Sequence, residues 1–420
     1  MTTIPTHNNT PALRFPDFLN DGEWEVKRLG DCLIQTPDYG INSSAVPFSN
    51  NLPTYLRITD ISDDGLFIKE SKVSVDTVLS KDNSLQEGDI VFARTGASVG
   101  KVYKYRESDG PLVFAGFLIR IKPNESQLSS EFLFQYLFSS TYKKWVEVTS
   151  TRSGQPGLNS ADISSLMIPF PKLAEQQRIA ACLSAADEMI TATKSKLEQL
   201  KDHKKGLMQK LFPTKGKKLP ELRFKGFEKD GEWKEKKLEE LIEEVKETIT
   251  DTTTIPLYSL TIEDGITSKT ERYERGFLVT KKDNAFKVVS PNDFVSNPMN
   301  LRFGAVGYNH NPFKVCVSGY YDVFRFKETG VTVFWSNYLK SDLLLHKYDE
   351  IAIGSLIEKR RIYFSNLLNL KLLVPSIPEQ CKIADCLTTI DEMINQYTNK
   401  VAMLEQHKKG LMQQMFPKMN

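Results

Sequence analysis

Histidine and cysteine are scarce in this chain of 420 residues, five of each, and it contains no run of 18 or more apolar residues. Without such a run no transmembrane helix is expected. The opening "MTTIPTHNNTPALRFPDF" has no apolar signal core, so a cytoplasmic location is expected. The cysteines (Cys32, Cys182, Cys316, Cys381, Cys386) are odd in number and scattered, the usage of reduced thiols. Cys381 and Cys386 have no partners at zinc-ligand spacing, so no metal site is expected. His7, His203, His310, His346 and His407 form no catalytic pattern with Ser, Cys or Asp. An excess of one charge is also missing: 55 Lys and Arg face 53 Asp and Glu, a net charge of +2. That excludes a histone-like polycation but not a DNA binder with charge gathered on one face. The 40% hydrophobic and 26% charged content is ordinary for a globular chain, and the length points to two or more domains.

What the chain does have is repetition. "EQQRIAACLSAADEMITATKSKLEQLKDHKKGLMQKLFP" begins at Glu175, and "EQCKIADCLTTIDEMINQYTNKVAMLEQHKKGLMQQMFP" begins at Glu379. The offset is 204 throughout, and 21 of 39 aligned positions are identical. A second echo opens each half: "PALRFPDFLNDGEWEVKRL" from Pro11 and "PELRFKGFEKDGEWKEKKL" from Pro220, an offset of 209. The stretches between are much less alike. The order is therefore variable domain (1–170), conserved segment (171–213), variable domain (214–374), conserved segment (375–420), with the polar, basic "TKGKKLP" as the seam between halves.

Apolar spacing identifies the conserved segments as helices. Ile179, Leu183, Ala186, Ile190, Thr193, Leu197, Leu200, Lys204, Leu207 and Leu211 are separated by alternating steps of four and three. Ile383, Leu387, Ile390, Ile394, Tyr397, Val401, Leu404, Lys408, Leu411 and Met415 repeat the pattern. This is a heptad seam, which predicts a long helix packed on another helix. With one such helix of about 36 residues per repeat, each about 54 Å long, the two are expected to pair with each other. They run antiparallel if an approximate two-fold axis relates the halves. Ser376-x-x-Glu379 has the form of a capping box, with Pro378 in the first turn. Both copies keep a helical glycine, Gly206 and Gly410, which predicts close packing or a bend. The lysines beside them, Lys204, Lys205, Lys408 and Lys409, read either as a docking point for a partner subunit or as a solvated face near a helix C-terminus.

The variable domains read as strands rich in β-branched and aromatic residues followed by a helix. The first has "GDIVFARTG", "KVYKY" and "LVFAGFLIRIKP" before the helix-like "SSEFLFQYLFSSTYKKWVEV". The second has "NDFVSN", "GAVGYN" and "VCVSGYYDVFRF" before "VFWSNYLKSDLLLHKY".

Catalytic patterns fail on spacing. "ARTGASVGKVYK" (93–104) looks like a phosphate loop, but three residues rather than four separate Gly96 from Gly100, and Val102 stands where the magnesium-holding hydroxyl belongs. Asn297-Pro298-Met299-Asn300 lacks the second proline and the aromatic of an amino-methyltransferase loop. Asp17, Glu25 and Lys27 have the outline of a nuclease site, but Gly226 replaces Asp17 in the second copy while Trp24 and Trp233 persist, which marks packing.

Layout and motifs together resemble the specificity (S) subunit of type I restriction-modification systems, over essentially the whole chain. "IPFPKLAEQQRIA", "VPSIPEQCKIA", "KKGLMQKLFP" and "KKGLMQQMFP" carry the resemblance most specifically, supported by "YLRITDI" and "GDIVFARTGASVG". The second domain departs, with "SNPMNLRFGAVG" where "ARTGASVG" stood. The resemblance implies an α+β fold: two mixed target recognition domains separated by a pair of long antiparallel, coiled-coil-like helices, with an internal pseudo-two-fold repeat. It implies a non-catalytic subunit that reads an asymmetric bipartite target in double-stranded DNA, with a spacer set by the helices. Two methyltransferase subunits using S-adenosylmethionine and two restriction subunits using ATP and Mg²⁺ are the implied partners, with no cofactor or metal in this chain and no membrane. Candidate DNA contacts, chosen for turn-rich context and hydrogen-bonding capacity, are Arg57, Arg94, Thr95, Ser98, Lys101, Arg152 and Gln155 in the first domain. In the second they are Lys281, Lys282, Asn297, Asn300, Arg302, Lys359, Arg360 and Arg361. A stand-alone methyltransferase or nuclease with built-in recognition domains, and a coiled-coil scaffold indifferent to DNA, are the alternatives.

Overall fold

The computed structural model describes residues 9–77, 83–151, 156–263, 265–268, 285–355 and 360–417. In the first half, strands β1 (Glu25–Arg28), β2 (Asp38–Tyr39), β3 (Ala45–Pro47), β4 (Thr54–Leu56), β5 (Val73–Val75), β6 (Ile90–Ala93), β7 (Val102–Lys104), β8 (Leu112–Phe114) and β9 (Leu118–Ile121) precede helices α1 (Ser130–Tyr136), α2 (Ser140–Ser150) and α3 (Ser160–Ser165). Strand β10 (Met167–Phe170) then leads into the long α4 (Leu173–Leu211). The second half repeats the plan with β11 (Lys234–Lys237), α5 (Leu238–Leu241), β12 (Ile242–Glu244), β13 (Thr248–Ile249), β14 (Tyr258–Thr261), β15 (Gly265–Ser268), β16 (Phe286–Val289), β17 (Phe294–Ser296), β18 (Val306–Tyr308), β19 (Val315–Val317) and β20 (Asp322–Phe326). It closes with α6 (Thr332–Tyr338), α7 (Asp342–Ile351), α8 (Phe364–Leu368), β21 (Lys371–Val374) and the long α9 (Ile377–Met415).

The sheets reveal a kinship that the diverged sequences hide. The principal sheet has order β2-β9-β6-β7 in the first half and β12-β20-β17-β18 in the second. A two-stranded antiparallel ribbon, β1 with β10 and β11 with β21, delivers each domain into its long helix. The remaining sheets differ: β3-β5-β4-β8, with β4 and β8 parallel, against β13-β16-β19 and a separate β14-β15 hairpin. The helix expected in each domain is broken in two. In the first half the Ser139 hydroxyl accepts from the Tyr142 N–H (3.2 Å) and starts α2, as Ser129 starts α1. Serine competes with the helical backbone in this way, so it favours a new N-terminus over continuation.

The chain divides into two compact units, residues 1–194 with 399–420 and residues 195–398. Each unit pairs the start of one long helix with the end of the other. In the first unit Lys408 meets both oxygens of Asp187 (2.6 and 2.7 Å) and Lys194 meets Glu405 (2.7 Å). As numbers rise on α4 they fall on α9, so the helices are antiparallel there. In the second unit Lys204 meets Asp391 (2.6 and 2.8 Å), and Leu211 shares a core cluster with Ile383 and Leu387, again antiparallel. The seam is buried at Ile179, Leu183, Ile190, Leu197, Ile383, Leu387 and Ile390. It is partly buried at Leu200, Leu207, Ile394, Val401, Leu404 and Leu411.

The echoed "LRF" segments clamp these helix ends. Arg14 forms a bidentate pair with Glu175 at the start of α4 (2.7 and 2.8 Å), Trp24 donates to the same carboxylate (3.2 Å), and the Leu13 N–H donates to Gln414 near the end of α9 (2.9 Å). In the second unit Arg223 and Trp233 do the same to Glu379 (2.7, 2.8 and 3.3 Å), and Leu222 donates to Lys210 (2.8 Å). Two expectations change as a result. The Glu379 carboxylate is committed to Arg223 and Trp233, a role the capping-box pattern did not foretell. Gly206 and Gly410 are not forced by packing: a Cβ at either would meet nothing within 4 Å.

Aromatic residues bind each helix end to its domain. Met415 and Phe416 enter the first core with Trp24, Phe132, Tyr136 and Leu183, and Phe132 and Phe416 lie 5.6 Å apart between ring centroids. Leu211 and Phe212 enter the second with Trp233, Phe334 and Leu387, where Phe212 stacks on Tyr338 at 5.1 Å. A long helix is therefore fixed by the domain that precedes it at one end and by another core at the other.

Candidate nucleic-acid interface

The glycine-flanked loop 94–101 links β6 to β7, not a strand to a helix. Its backbone closes on itself: the Gly100 N–H donates to Ala93 (2.9 Å) and the Ala93 N–H to Lys101 (2.8 Å). Gly96 and Gly100 both have left-handed backbone (φ 75° and 80°), and a Cβ at Gly100 would lie 2.5 Å from Val146. Within the loop the regular structure is a single 3-10 turn, Gly96–Ser98, too short to cradle a phosphate as a helix N-terminus does.

A second segment crosses the loop, and in both domains it does so through the same backbone hydrogen bond. In the first, the Leu158 N–H donates to the Arg94 carbonyl (2.8 Å) and Thr95 bridges Gly157. In the second, the Ile362 N–H donates to the Pro298 carbonyl (2.9 Å). Both partners differ by 204, the offset of the long helices. The side chains at the crossing differ. In the first domain Arg94 comes from the loop, and its guanidinium lies 4.8 Å from the ring centroid of Tyr39. The Tyr39 hydroxyl accepts from the Ser160 N–H (3.1 Å), which fixes the ring. The Arg94 Nε is buried without a partner among the described residues. In the second domain proline occupies that position, and the cation comes from the crossing segment. There Arg361 lies 4.5 Å from the Tyr363 centroid and donates to its hydroxyl. Hydrogen bonding to Tyr363, then its charge and that of Tyr320, raise the Arg361 pKa.

The other candidates are more committed to the fold. Arg57 forms a bidentate pair with the buried Asp60 (2.7 and 2.9 Å) and closes its own turn. Lys101 meets Asp63 (2.7 Å) and the Ile61 carbonyl (3.2 Å), while Thr95 and Ser98 stay half-buried on the loop. Asn297 and Asn300 shape the loop after β17, where the Asn297 side chain accepts from Met299 (3.0 Å) and the Asn300 carbonyl from Phe303 (2.9 Å). Arg302 meets Asp349 (3.2 Å) and lies over Phe303 (4.5 Å), and Arg360 is half-buried beside Arg361. Arg152, Gln155, Lys281, Lys282 and Lys359 lie outside the described residues. On the helices, Lys204 and Lys408 are occupied by Asp391 and Asp187 within the chain. Lys205 and Lys409 point to solvent.

The residues that sequence reasoning missed are aromatic and acidic. Tyr39 and Tyr363 form the stacks, and Phe117 and Tyr320 stand at the turns leading into β9 and β20. Asp322, which opens β20, has its pKa raised to about 6 by burial, opposed by Lys287 and reinforced by Glu244. Opposite it in register, the Ser296 hydroxyl is buried without a partner among the described residues. Equivalence between the halves would have revealed the turns, since both read small-Gly-aromatic. Among the described residues no group of three or more His, Cys, Asp or Glu could hold a metal, and no helix is long and apolar enough to cross a membrane.

Two domains of one plan, each presenting a stacked arginine at the same crossing, define a duplicated recognition protein. Residues 21–202 and 230–406 each match the family described as type I restriction modification DNA specificity domain, and the chain belongs to that family. It is 24% identical over 435 residues to the type I restriction enzyme MjaVIII specificity subunit of Methanocaldococcus jannaschii, covering 96% of this chain and 92% of the relative. A second relative from the same organism is 27% identical over 404 residues, covering 93% and 92%. Among solved structures, the type I restriction-modification S subunit of M. genitalium superposes with a TM-score of 0.60 at 16% identity over 98% of this chain and all of that one. A type I restriction-modification assembly component does so with a TM-score of 0.52 at 17% identity, covering 94% and 97%.

Proposed function

We propose that this chain is the sequence-reading, non-catalytic subunit of a type I restriction-modification complex. Each specificity domain reads one half of an asymmetric two-part target in double-stranded DNA. Two methyltransferase subunits and two restriction subunits assemble on the chain and bring S-adenosylmethionine, ATP and Mg²⁺ chemistry with them. The observation that carries this reading is the crossing. The backbone frame is the same in both domains, but the groups presented differ: Arg94 over Tyr39 in one, Pro298 and Arg361 over Tyr363 in the other. One frame with two side-chain sets suits two unlike half-sites.

The chemistry fits base readout. A guanidinium offers five donors in a fixed plane and matches guanine O6 and N7 or a phosphate in bidentate fashion. Stacking on a tyrosine holds that plane, and the guanidinium keeps further donors beyond the Arg361 bond to Tyr363 and the buried Arg94 Nε. On the helices, the exposed Lys205 and Lys409 are cations placed to dock a partner subunit.

Sequencing the methylome of DNA modified by this chain with its cognate methyltransferase subunit tests the reading. The expected result is a two-part motif with unlike halves and a fixed gap. A single symmetric motif, or methyl transfer from labelled S-adenosylmethionine by the purified chain alone, would reject it.

A further inference from the structure

Phe117 and Tyr320 have no role in either core, yet they stand at the same place in both domains. Phe117 is 60% exposed and Tyr320 48%. Each is the third residue of a tight turn: the Leu118 N–H donates to Ala115 (2.8 Å) in one, and the Tyr321 N–H to Ser318 (3.0 Å) in the other. Each turn leads from one sheet into the central strand of the principal sheet, β8 into β9 and β19 into β20. The glycine before the aromatic is sterically required in the second domain, where a Cβ at Gly319 would lie 2.2 Å from the Ala285 carbonyl. A single exposed aromatic needs no explanation. Two at equivalent turns of domains that otherwise share little sequence do.

Their neighbours indicate what they meet. The Phe117 carbonyl accepts from the Arg94 N–H (3.1 Å), which sets Phe117 beside the residue that stacks on Tyr39. Tyr320 lies two residues before Asp322, which pairs with Ser296, and Pro298, two residues beyond Ser296, accepts from the Ile362 N–H, so Tyr320 stands at the crossing that carries Arg361. Each domain thus presents a guanidinium, a tyrosine face and an exposed aromatic tip together. The cations suit a polyanion. The apolar tip suits a base edge, where the thymine methyl is the apolar mark in the major groove. A peptide-binding surface would be expected to offer a groove for its side chains, whereas here a ring projects from a turn.

We propose that Phe117 and Tyr320 are specificity-determining residues, each touching a base of the half-site read by its own domain, beside the guanidinium of Arg94 or Arg361. The proposal rests on the DNA-reading function argued above. The test is the methylome of cells carrying the full complex with the parent chain, Phe117→Ala or Tyr320→Ala. Phe117→Ala is expected to relax one or two adjacent positions in one half of the motif only, with discrimination there falling roughly tenfold. Tyr320→Ala is expected to relax the other half only. Loss of methylation by a variant with parental melting temperature and parental assembly also supports contact with DNA. If an alanine variant unfolds, Phe117→Gln and Tyr320→Gln, which keep bulk but remove the apolar ring, replace it and are held to the same outcome. Variants that methylate the parental motif with parental fidelity overturn the proposal, as does relaxation of both halves by one substitution. A parent that yields no two-part motif instead overturns the functional reading beneath it.

Discussion

At the scale of single residues, the strongest commitments are the buried carboxylates that open the long helices. The Glu175 side chain is 1% exposed and Arg14 only 5%. Each has given up its water for the other and for the Trp24 indole. Removing one partner strands a buried charge, which costs about 3–5 kcal/mol. Glu175→Gln and Glu379→Gln are each expected to lower unfolding free energy by about that amount in denaturant titration, and Lys201→Ala, on an exposed pair, by under about 1 kcal/mol. A drop below about 1 kcal/mol for either glutamine would show that the clamp is not structural. Asp322 works in the opposite sense. Burial raises its pKa to about 6, so the folded state holds that proton more tightly than the unfolded chain. The resulting cost is absent below about pH 4, grows from there to about 6, and is complete above it. Asp322→Asn is therefore expected to stabilise the protein at pH 7 by roughly 1–2 kcal/mol, after discounting for its partial exposure. At pH 4 it should leave stability unchanged. Equal effects at both pH values would refute the account.

At the scale of elements, the helices carry two retained glycines in open space, and open space makes a simple prediction. Gly206→Ala and Gly410→Ala should each add about 1 kcal/mol to stability, read as a raised melting temperature, because alanine gains helix propensity and its Cβ meets nothing. A fall in melting temperature would mean that the glycines serve the fold after all. The elements also show what the sequence made legible and why. The helices were readable because a heptad seam depends on spacing alone, and Ile179, Leu183, Ile383 and Leu387 lie buried where the pattern placed them. The shared principal sheet was not readable. Strand pairing depends on partners far apart in the chain, and the two domains fill the same strand order with different residues. Arg57 looked free because its partner Asp60 lies three residues on, a distance at which only a turn brings side chains together. Lys204 and Lys408 looked like docking groups because their acids, Asp391 and Asp187, sit on the other helix. The crossing of Leu158 over Arg94 and of Ile362 over Pro298 joins segments about 64 residues apart, so nothing local announced it.

At the scale of the whole molecule, the boundary between the two compact units falls between Lys194 and Ser195 on α4 and between Thr398 and Asn399 on α9. That division makes spacer length a testable property of helix length. An insertion there leaves the ion pairs of each unit untouched, since Asp187–Lys408 and Lys204–Asp391 each lie within one unit. One heptad is the insertion that preserves the seam: seven residues turn a helix almost back to the same face, whereas five leave the apolar stripe about 140° away from it. Seven residues add about 10.5 Å, equivalent to about three base pairs at about 3.4 Å each. Inserting one heptad into both helices at the division should lengthen the unread gap of the methylated motif by about three base pairs and leave both half-sites as they were. Inserting five residues into only one helix should instead break the seam and abolish specific methylation. If the gap stays at its parental length in a folded, active heptad variant, the helices do not set it, and the spacing must come from contacts made by the partner subunits.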